Sequence, residues 1–437
     1  MSAAIQRPIA KRRVTFGAGG LALVTIIAIG CSEQPASSAR LSGPARSAAD
    51  AERRSSIPTT SVRWNEMARN LVASHNTNGP MASRVYALVS MAQLAAADSI
   101  AAADRRHGPD AAGGVEHPSV QAAIARASWS VLSRLYPDPA TAILLSAAVE
   151  DDEGVPSGPQ AQPLDVLDGD AIGSTVAQTV IARAATDGAS AADCPATPPA
   201  PPSQFWHDDA VPPNPQPQLP CFGKVRPWLR IDITQFRAGP PPAFGSPAFL
   251  AGLAEVRRIS DTRTPQQLAT VDKWLDGNNS FTPAGRWNLI ASELITRHHL
   301  SERDAAHALA LLNVAMMDTH IACWDRKFTY WEIRPWQVDP LITTPRGRPH
   351  HPADPSGHAC AGGAGSAAVA GVFPAERDSL LALGDEEGLT TVLSGVHYPF
   401  DVTNGLRIGR AIAAKALSLH AHGDLLALLT DERVRRR

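Results

Sequence analysis

The chain lacks an excess of charge of one sign, a long apolar run past its first segment, and the β-branched alternation of strands. Its 40 basic side chains offset 42 acidic ones to a net charge of −2, which leaves no basic stripe for a nucleic-acid partner. After Ile29 no stretch reaches the roughly eighteen uninterrupted apolar residues of a spanning helix, so the remainder is expected to be soluble, at most tethered. Scarce β-branched alternation, abundant alanine and 37 prolines together predict helices joined by proline-rich loops. A length of 437 residues accommodates one large domain or two ordinary ones.

What is present begins with a targeting segment. Lys11, Arg12 and Arg13 precede an apolar run from Val14 to Ile29, and Ala28-Ile29-Gly30-Cys31 resembles a bacterial lipobox with Ala28 in place of the commoner Leu. On this reading residues 1–31 are a signal peptide and Cys31 is the lipidated first residue of the mature protein. The product is then exported and tethered to a membrane, in the periplasm or at the cell surface, by an N-terminal lipid anchor. An ordinary signal peptide or an uncleaved anchor fits the same pattern. Four cysteines remain: Cys194–Cys221 would staple a proline-rich loop, and Cys323–Cys360 would join two motif-bearing segments. Two free buried thiols fit the second pair equally well.

Residues 32–58, rich in Ser, Ala, Pro and Arg, read as a flexible tether. Helical periodicity starts near Val62, with Trp64, Met67, Leu71 and Val72 on one face, and returns from Ala82, near Pro118 and Pro139, and from about Asp170. An N-terminal bundle is therefore expected over 59–187. Prolines crowd out the period over 188–246, where Trp206, Phe222 and Trp228 predict a connection packed onto the body. Helices resume at about 247–259, 265–275, 282–297 and 301–328, the last with Ser301 and Asp304 as a capping box. They form a second bundle over 247–422, ahead of a polar tail at 423–437. The expected fold class is all-α, two packed helical bundles.

Three short motifs carry chemistry. Lys327 and Arg334, ahead of Pro335, are seven residues apart, close to two helical turns, so both cations can face one point, a fork and a point charge suited to an oxyanion. A solvated helix face has the same spacing. Pro355-Ser356-Gly357-His358 opens a helix of small residues; hydroxyl, amide and helix N-terminus make an anion cradle, with His358 at its mouth as acid or base. An ordinary cap followed by a surface histidine reads the same way. His397 and Asp401, four apart, allow a carboxylate to hold one imidazole nitrogen and sharpen the other; a capping Asp near a buried His is the plainer alternative.

The order Lys-x6-Arg-Pro, Pro-Ser-Gly-His, Gly-x-His-x3-Asp resembles the type 2 phosphatidic acid phosphatase and vanadium haloperoxidase superfamily over about Trp324 to Gly409. RWNEMARNLVASHN, FGKVRPWL and EVRRISDTRTPQQLATVDKW are similar to its soluble bacterial haloperoxidase-like branch. The resemblance implies the acid phosphatase/vanadium haloperoxidase-like helical fold. It also implies that Lys327, Arg334, Ser356 and Gly357 bind the oxygens of phosphate or vanadate. His397 would ligate vanadium, or attack phosphorus in a phosphatase; Asp401 would orient it and His358 would handle protons. Trp324 and His351 would line the pocket.

One departure stands out: the family pattern carries Ser-Arg where this chain has Thr390-Thr391. A hydrogen bond to a charged oxygen is worth roughly 1.5–3 kcal/mol, so anion affinity should fall by about one to two orders of magnitude unless Arg346, Arg348 or Arg407 substitutes. Three functions are expected to compete. The first is a vanadate-dependent haloperoxidase-like enzyme using hydrogen peroxide and a halide. The second is a phosphatase acting on phosphomonoesters through a phosphohistidine, with no cofactor. The third is a degenerate anion-binding lipoprotein. In the first two the partner is a small-molecule or phosphoester substrate.

Overall fold

The computed structural model describes residues 58–107, 118–153, 163–237, 239–277, 279–421 and 424–429. The signal segment, Cys31, the tether up to residue 57 and the end of the polar tail lie outside them. Among the described residues, five helices precede the proline-rich span: α1 (Thr60–Ser74), α2 (Gly79–His107), α3 (Val120–Leu135), α4 (Pro139–Glu153) and α5 (Leu164–Ala184). Eight of the described helices follow it: α6 (Pro247–Thr262), α7 (Pro265–Lys273), α8 (Thr282–Arg297), α9 (Glu302–Tyr330), α10 (Pro335–Val338), α11 (Gly357–Val372), α12 (Arg377–Leu393) and α13 (Pro399–Ala421). Among the described residues there is no strand, only an isolated bridge between Phe205 and Glu332. The fold is all-α, as the sequence predicts.

Helix starts follow the capping chemistry of the sequence. Thr59, Ser119, Ser246 and Thr264 each accept a backbone N–H at the head of their helices. Ser301 accepts the Asp304 amide at 3.1 Å and donates to its carboxylate at 2.7 Å. The centre is built on α2 and α9, 29 residues each, which pack on one another. Helix α2 carries α3 and α5, and α9 carries α11 and α13, with α12 packed on α11. Between the two groups Asn65, Asn288, Asn313 and Ser90 form a buried chain of side-chain hydrogen bonds, 2.7–2.8 Å each, that pairs the amides of Asn288 and Asn313 in the core. Helix α2 is long and apolar enough to cross a membrane, yet 78% of its most apolar window is buried inside the protein, as for a core helix.

The proline-rich span packs down. Trp206, Phe222 and Trp228 are all buried, and a disulfide joins Cys194 to Cys221 with Cα atoms 5.7 Å apart. Asp318 on α9 accepts the amides of Trp228 and Leu229, each at 2.8 Å, and Arg183 on α5 lies 3.9 Å over the Trp228 ring. Burial raises the Asp318 carboxyl to about 7 against the pull of those two amides. Two helices of the second group touch almost backbone to backbone. A Cβ on Gly405 of α13 would stand 2.7 Å from the Ser356 carbonyl, and Gly409 meets the α11 backbone at Cys360 and Ala364.

Candidate functional site

The three motifs meet at the inner end of α9, but not along one helix face. Helix α9 ends at Tyr330; Trp331 follows in the left-handed region (φ 53°), and the extended Arg334 precedes Pro335, which opens the short α10. Pro335 disfavours the α-helical region for Arg334, so the expectation of Lys327 and Arg334 two turns apart on one helix is corrected. The two cations converge because the chain turns back. Both are fully buried.

Lys327 donates to the carbonyls of Pro352 (2.9 Å), Ala353 (2.8 Å) and Pro355, which accounts for all three of its N–H groups. Burial, then the Arg334 charge, pushes its ammonium well below the usual range. Arg334 spends its fork on the His351 carbonyl (3.0 and 2.9 Å), the Val396 carbonyl (2.6 Å), His351 Nδ1 (3.1 Å) and His397 Nε2 (2.9 Å). A guanidinium only donates, so His397 Nε2 is an acceptor, and its Nδ1–H donates to Asp401 Oδ2 at 2.9 Å. The Asp401 oxygen also accepts the Tyr398 amide at 3.0 Å. Burial, with Arg334 and Lys327 alongside, holds His397 well below the normal histidine range, so it is neutral. Burial and the neighbouring Asp354 raise the Asp401 carboxyl.

Ser356 caps α11, accepting the Ala359 amide at 3.2 Å, and its own amide donates to the Asp401 carbonyl at 3.0 Å. The Ser356 hydroxyl lies 3.2 Å from that of Thr391, which donates to the Gly388 carbonyl at 2.8 Å. Since Thr391 spends its proton there, Ser356 is the donor within the pair. Gly357 forms the first residue of α11 and lies against Trp324, whose ring a Cβ would meet at 3.8 Å. His358 is half-buried and donates Nε2–H to the Leu275 carbonyl at 3.2 Å. Burial lowers its pKa. Trp324 packs 5.2 Å from His351, and burial, Lys327 and Arg334 together keep His351 well below its usual range.

Several residues at the site escaped the sequence reading. Arg326 and Asp354, both buried, pair at 2.5 Å; Asn404 on α13 donates to the other Asp354 oxygen at 2.8 Å. Glu332 is 8% exposed, and burial followed by Asp401 and Asp354 raises it to about 9. His320, one turn before Trp324, donates to the Met316 carbonyl at 2.9 Å, and burial lowers it to about 4. Adjacency was the available signal: Arg326 precedes Lys327, and Asp354 precedes the Pro-Ser-Gly-His motif. The second disulfide is present, joining Cys323 of α9 to Cys360 of α11 with Cα atoms 6.6 Å apart.

Lys327, Arg334 and Arg326 stand with Asp354, Asp401 and Glu332 in one buried cluster, where charges are poorly screened by water. None of the three arginines offered as a substitute brings its charge in. Arg346 is engaged by Asp272, Arg348 by Asp209 at 3.0 Å, and Arg407 is exposed. Arg348 does share the Trp336 ring with Arg334, 5.6 and 5.4 Å from its centroid.

Residues 306–423 match the family model of the PAP2 superfamily. Among curated proteins, the chain is similar to a lipid A 1-phosphatase of Rhizobium etli (strain ATCC 51251 / DSM 11541 / JCM 21823 / NBRC 15573 / CFN 42), 37% identical over 78 residues. That match covers 18% of this chain and spans about a third, 34%, of the relative's length. Among solved structures, the fold is similar to that of the first bacterial vanadium-dependent iodoperoxidase, with a TM-score of 0.69 and 20% identity over 82% of this chain and 95% of that one. The holo form of a bacterial vanadium-dependent chloroperoxidase follows at a TM-score of 0.61 and 15% identity, covering 79% and 93%. The sequence of residues 306–423 is thus similar to the PAP2 superfamily, and the fold of the chain is similar to that of bacterial vanadium-dependent peroxidases.

Proposed function

We propose that this protein binds vanadate and is a haloperoxidase-like enzyme, oxidising a halide with hydrogen peroxide. The observation that carries the reading is the state of His397: neutral, its Nδ1–H held by Asp401, its Nε2 lone pair facing the Arg334 guanidinium beside the start of α11. A neutral imidazole with one nitrogen anchored is the form that ligates a metal centre. The likeness to the iodoperoxidase along nearly its whole length, N-terminal bundle included, supports the same choice.

The residues fit an oxyanion of this kind. His397 Nε2 would be its ligand, with Lys327 and Arg334 offsetting its charge and Ser356 and Gly357 cradling its oxygens at the head of α11. Bound vanadate supplies a Lewis-acid centre that polarises peroxide. Asp401 keeps the imidazole in its tautomer. His358, released from the Leu275 carbonyl, moves protons at the mouth, and Trp324 with His351 limits water at the cations.

A phosphatase reading is favoured by the 37% identity to the lipid A 1-phosphatase. There His397 Nε2 bonds to phosphorus as the ester P–O bond breaks, and His358 protonates the departing alkoxide. Water then gives a proton back to His358 as its oxygen bonds to phosphorus, the P–N bond breaks and phosphate leaves. The lipobox reading adds that Cys31 carries a lipid and tethers the enzyme to a membrane. Bromination or iodination of a phenolic dye, dependent on both orthovanadate and peroxide and lost in His397→Ala, tests the first function. Metal-free hydrolysis of p-nitrophenyl phosphate, blocked by orthovanadate, would replace it with the second. If neither occurs and His397→Ala leaves phosphate affinity unchanged, both enzymatic readings fail and the degenerate binding protein remains.

A further inference from the structure

The turn that delivers Ser356 and Gly357 is held by Lys327 and by three side chains, Asp354, Arg326 and Asn404, to which the proposed oxyanion chemistry gives no role. Asp354 is fully buried, and its two oxygens go to different helices: Oδ2 to Arg326 of α9 at 2.5 Å, Oδ1 to Asn404 of α13 at 2.8 Å. Arg326 is pinned in turn, donating through Nη1 to the Gly239 carbonyl at 2.8 Å and to that of Arg237. One residue along, Lys327 gathers the carbonyls of residues 352, 353 and 355. Two consecutive cations of α9 therefore grip one turn, Lys327 by its backbone and Arg326 by its only carboxylate. Two residues past Asp354, the Ser356 amide reaches the Asp401 carbonyl at 3.0 Å.

We propose that Asp354 is a positioning residue: by bridging Arg326 and Asn404 it fixes the Ser356–Gly357 cradle relative to the helix that carries Asp401. The burial of both charged partners makes the bridge directional. A carboxylate without water must satisfy its oxygens where donors stand, so its two bonds set the turn's height above α9 and its distance from α13. An apolar residue of similar size would fill the space without setting either. The link to oxyanion binding rests on the function proposed above; the bridge itself does not.

Asp354→Asn, which weakens the Arg326 contact, and Asn404→Ala, which removes only the α13 contact, test the idea on the full chain. Amide hydrogen exchange should accelerate by about tenfold or more in peptides spanning 352–362 while those of α2 and α3 are unchanged. Orthovanadate affinity, measured by titration calorimetry, should fall by about tenfold in both variants. Unchanged exchange in 352–362 overturns the proposal, and so does acceleration spread evenly over α2, α3 and α9, which marks general loss of stability. Should the wild-type chain bind no orthovanadate while the local exchange effect stands, the oxyanion function fails and the bridge survives.

Discussion

Arg334 Nη1 lies 2.9 Å from Nε2 of His397, and this single contact decides which nitrogen of the ring is bare. A donor that cannot lose its role points at Nε2, a carboxylate takes Nδ1–H, and no other tautomer satisfies both. Replacing Arg334 with Lys keeps a charge and loses the fork that reaches His351, Val396 and His397 together. Arg334→Lys should weaken orthovanadate binding by about 10- to 100-fold in titration calorimetry. Nitrogen chemical shifts of labelled histidine should show a second tautomer of His397.

Thr391 has an effect opposite to a simple missing charge. Its hydroxyl accepts the Ser356 proton at 3.2 Å, so an anion competes with it for that donor. Thr391→Val removes the acceptor at nearly constant volume. Orthovanadate should then bind about three- to tenfold more tightly, the value of one net hydrogen bond. Equal or weaker binding in the same titration would show that the pair does not compete with the ligand.

Glu332 makes stability depend on pH. Its folded pKa is raised to about 9 from 4.5, so the native state holds a proton that the unfolded chain gives up. The stabilisation is fully present below about pH 4.5 and is lost as pH rises toward 9, at up to about 1.4 kcal/mol per pH unit from this group. Glu332→Gln should flatten that slope. Urea unfolding at several pH values between 5 and 9 should show the variant gaining on the wild type as pH rises.

The Cys323–Cys360 bond ties the helix of Lys327 to the helix headed by Ser356. Cutting it in Cys323→Ala/Cys360→Ala should cost about 2–4 kcal/mol in denaturant unfolding, the usual range for a loop of this size. Replacing Cys194 and Cys221 instead should loosen the proline-rich span and spare α9 and α11, a difference that limited proteolysis can read.

Much of this was legible in the residues. The all-α class followed from period and composition, and Ser301, Asp304, Ser356, His397 and Asp401 engage one another and their neighbours with the chemistry their spacing suggested. Lys327 and Arg334 do converge, yet the spacing argument assumed a continuous helix, and only the left-handed Trp331 shows that the chain reverses between them. The Arg326–Asp354–Asn404 bridge was out of reach for another reason. Its partners are 28 and 50 residues apart in sequence, and nothing local distinguishes a buried ion pair from a solvated one. Likewise Glu332 reads as an ordinary surface acid until its burial is seen.

Gly405 and Gly409 let α13 lie directly on the backbone of Ser356, Cys360 and Ala364. The separation between the cradle on one helix and the imidazole just before the other is consequently a gauge set by main-chain thickness. Side-chain substitutions around the rim can retune charge or access, but they cannot widen that gauge. A larger oxyanion held there would have to be accommodated away from this contact, and not between the two helices.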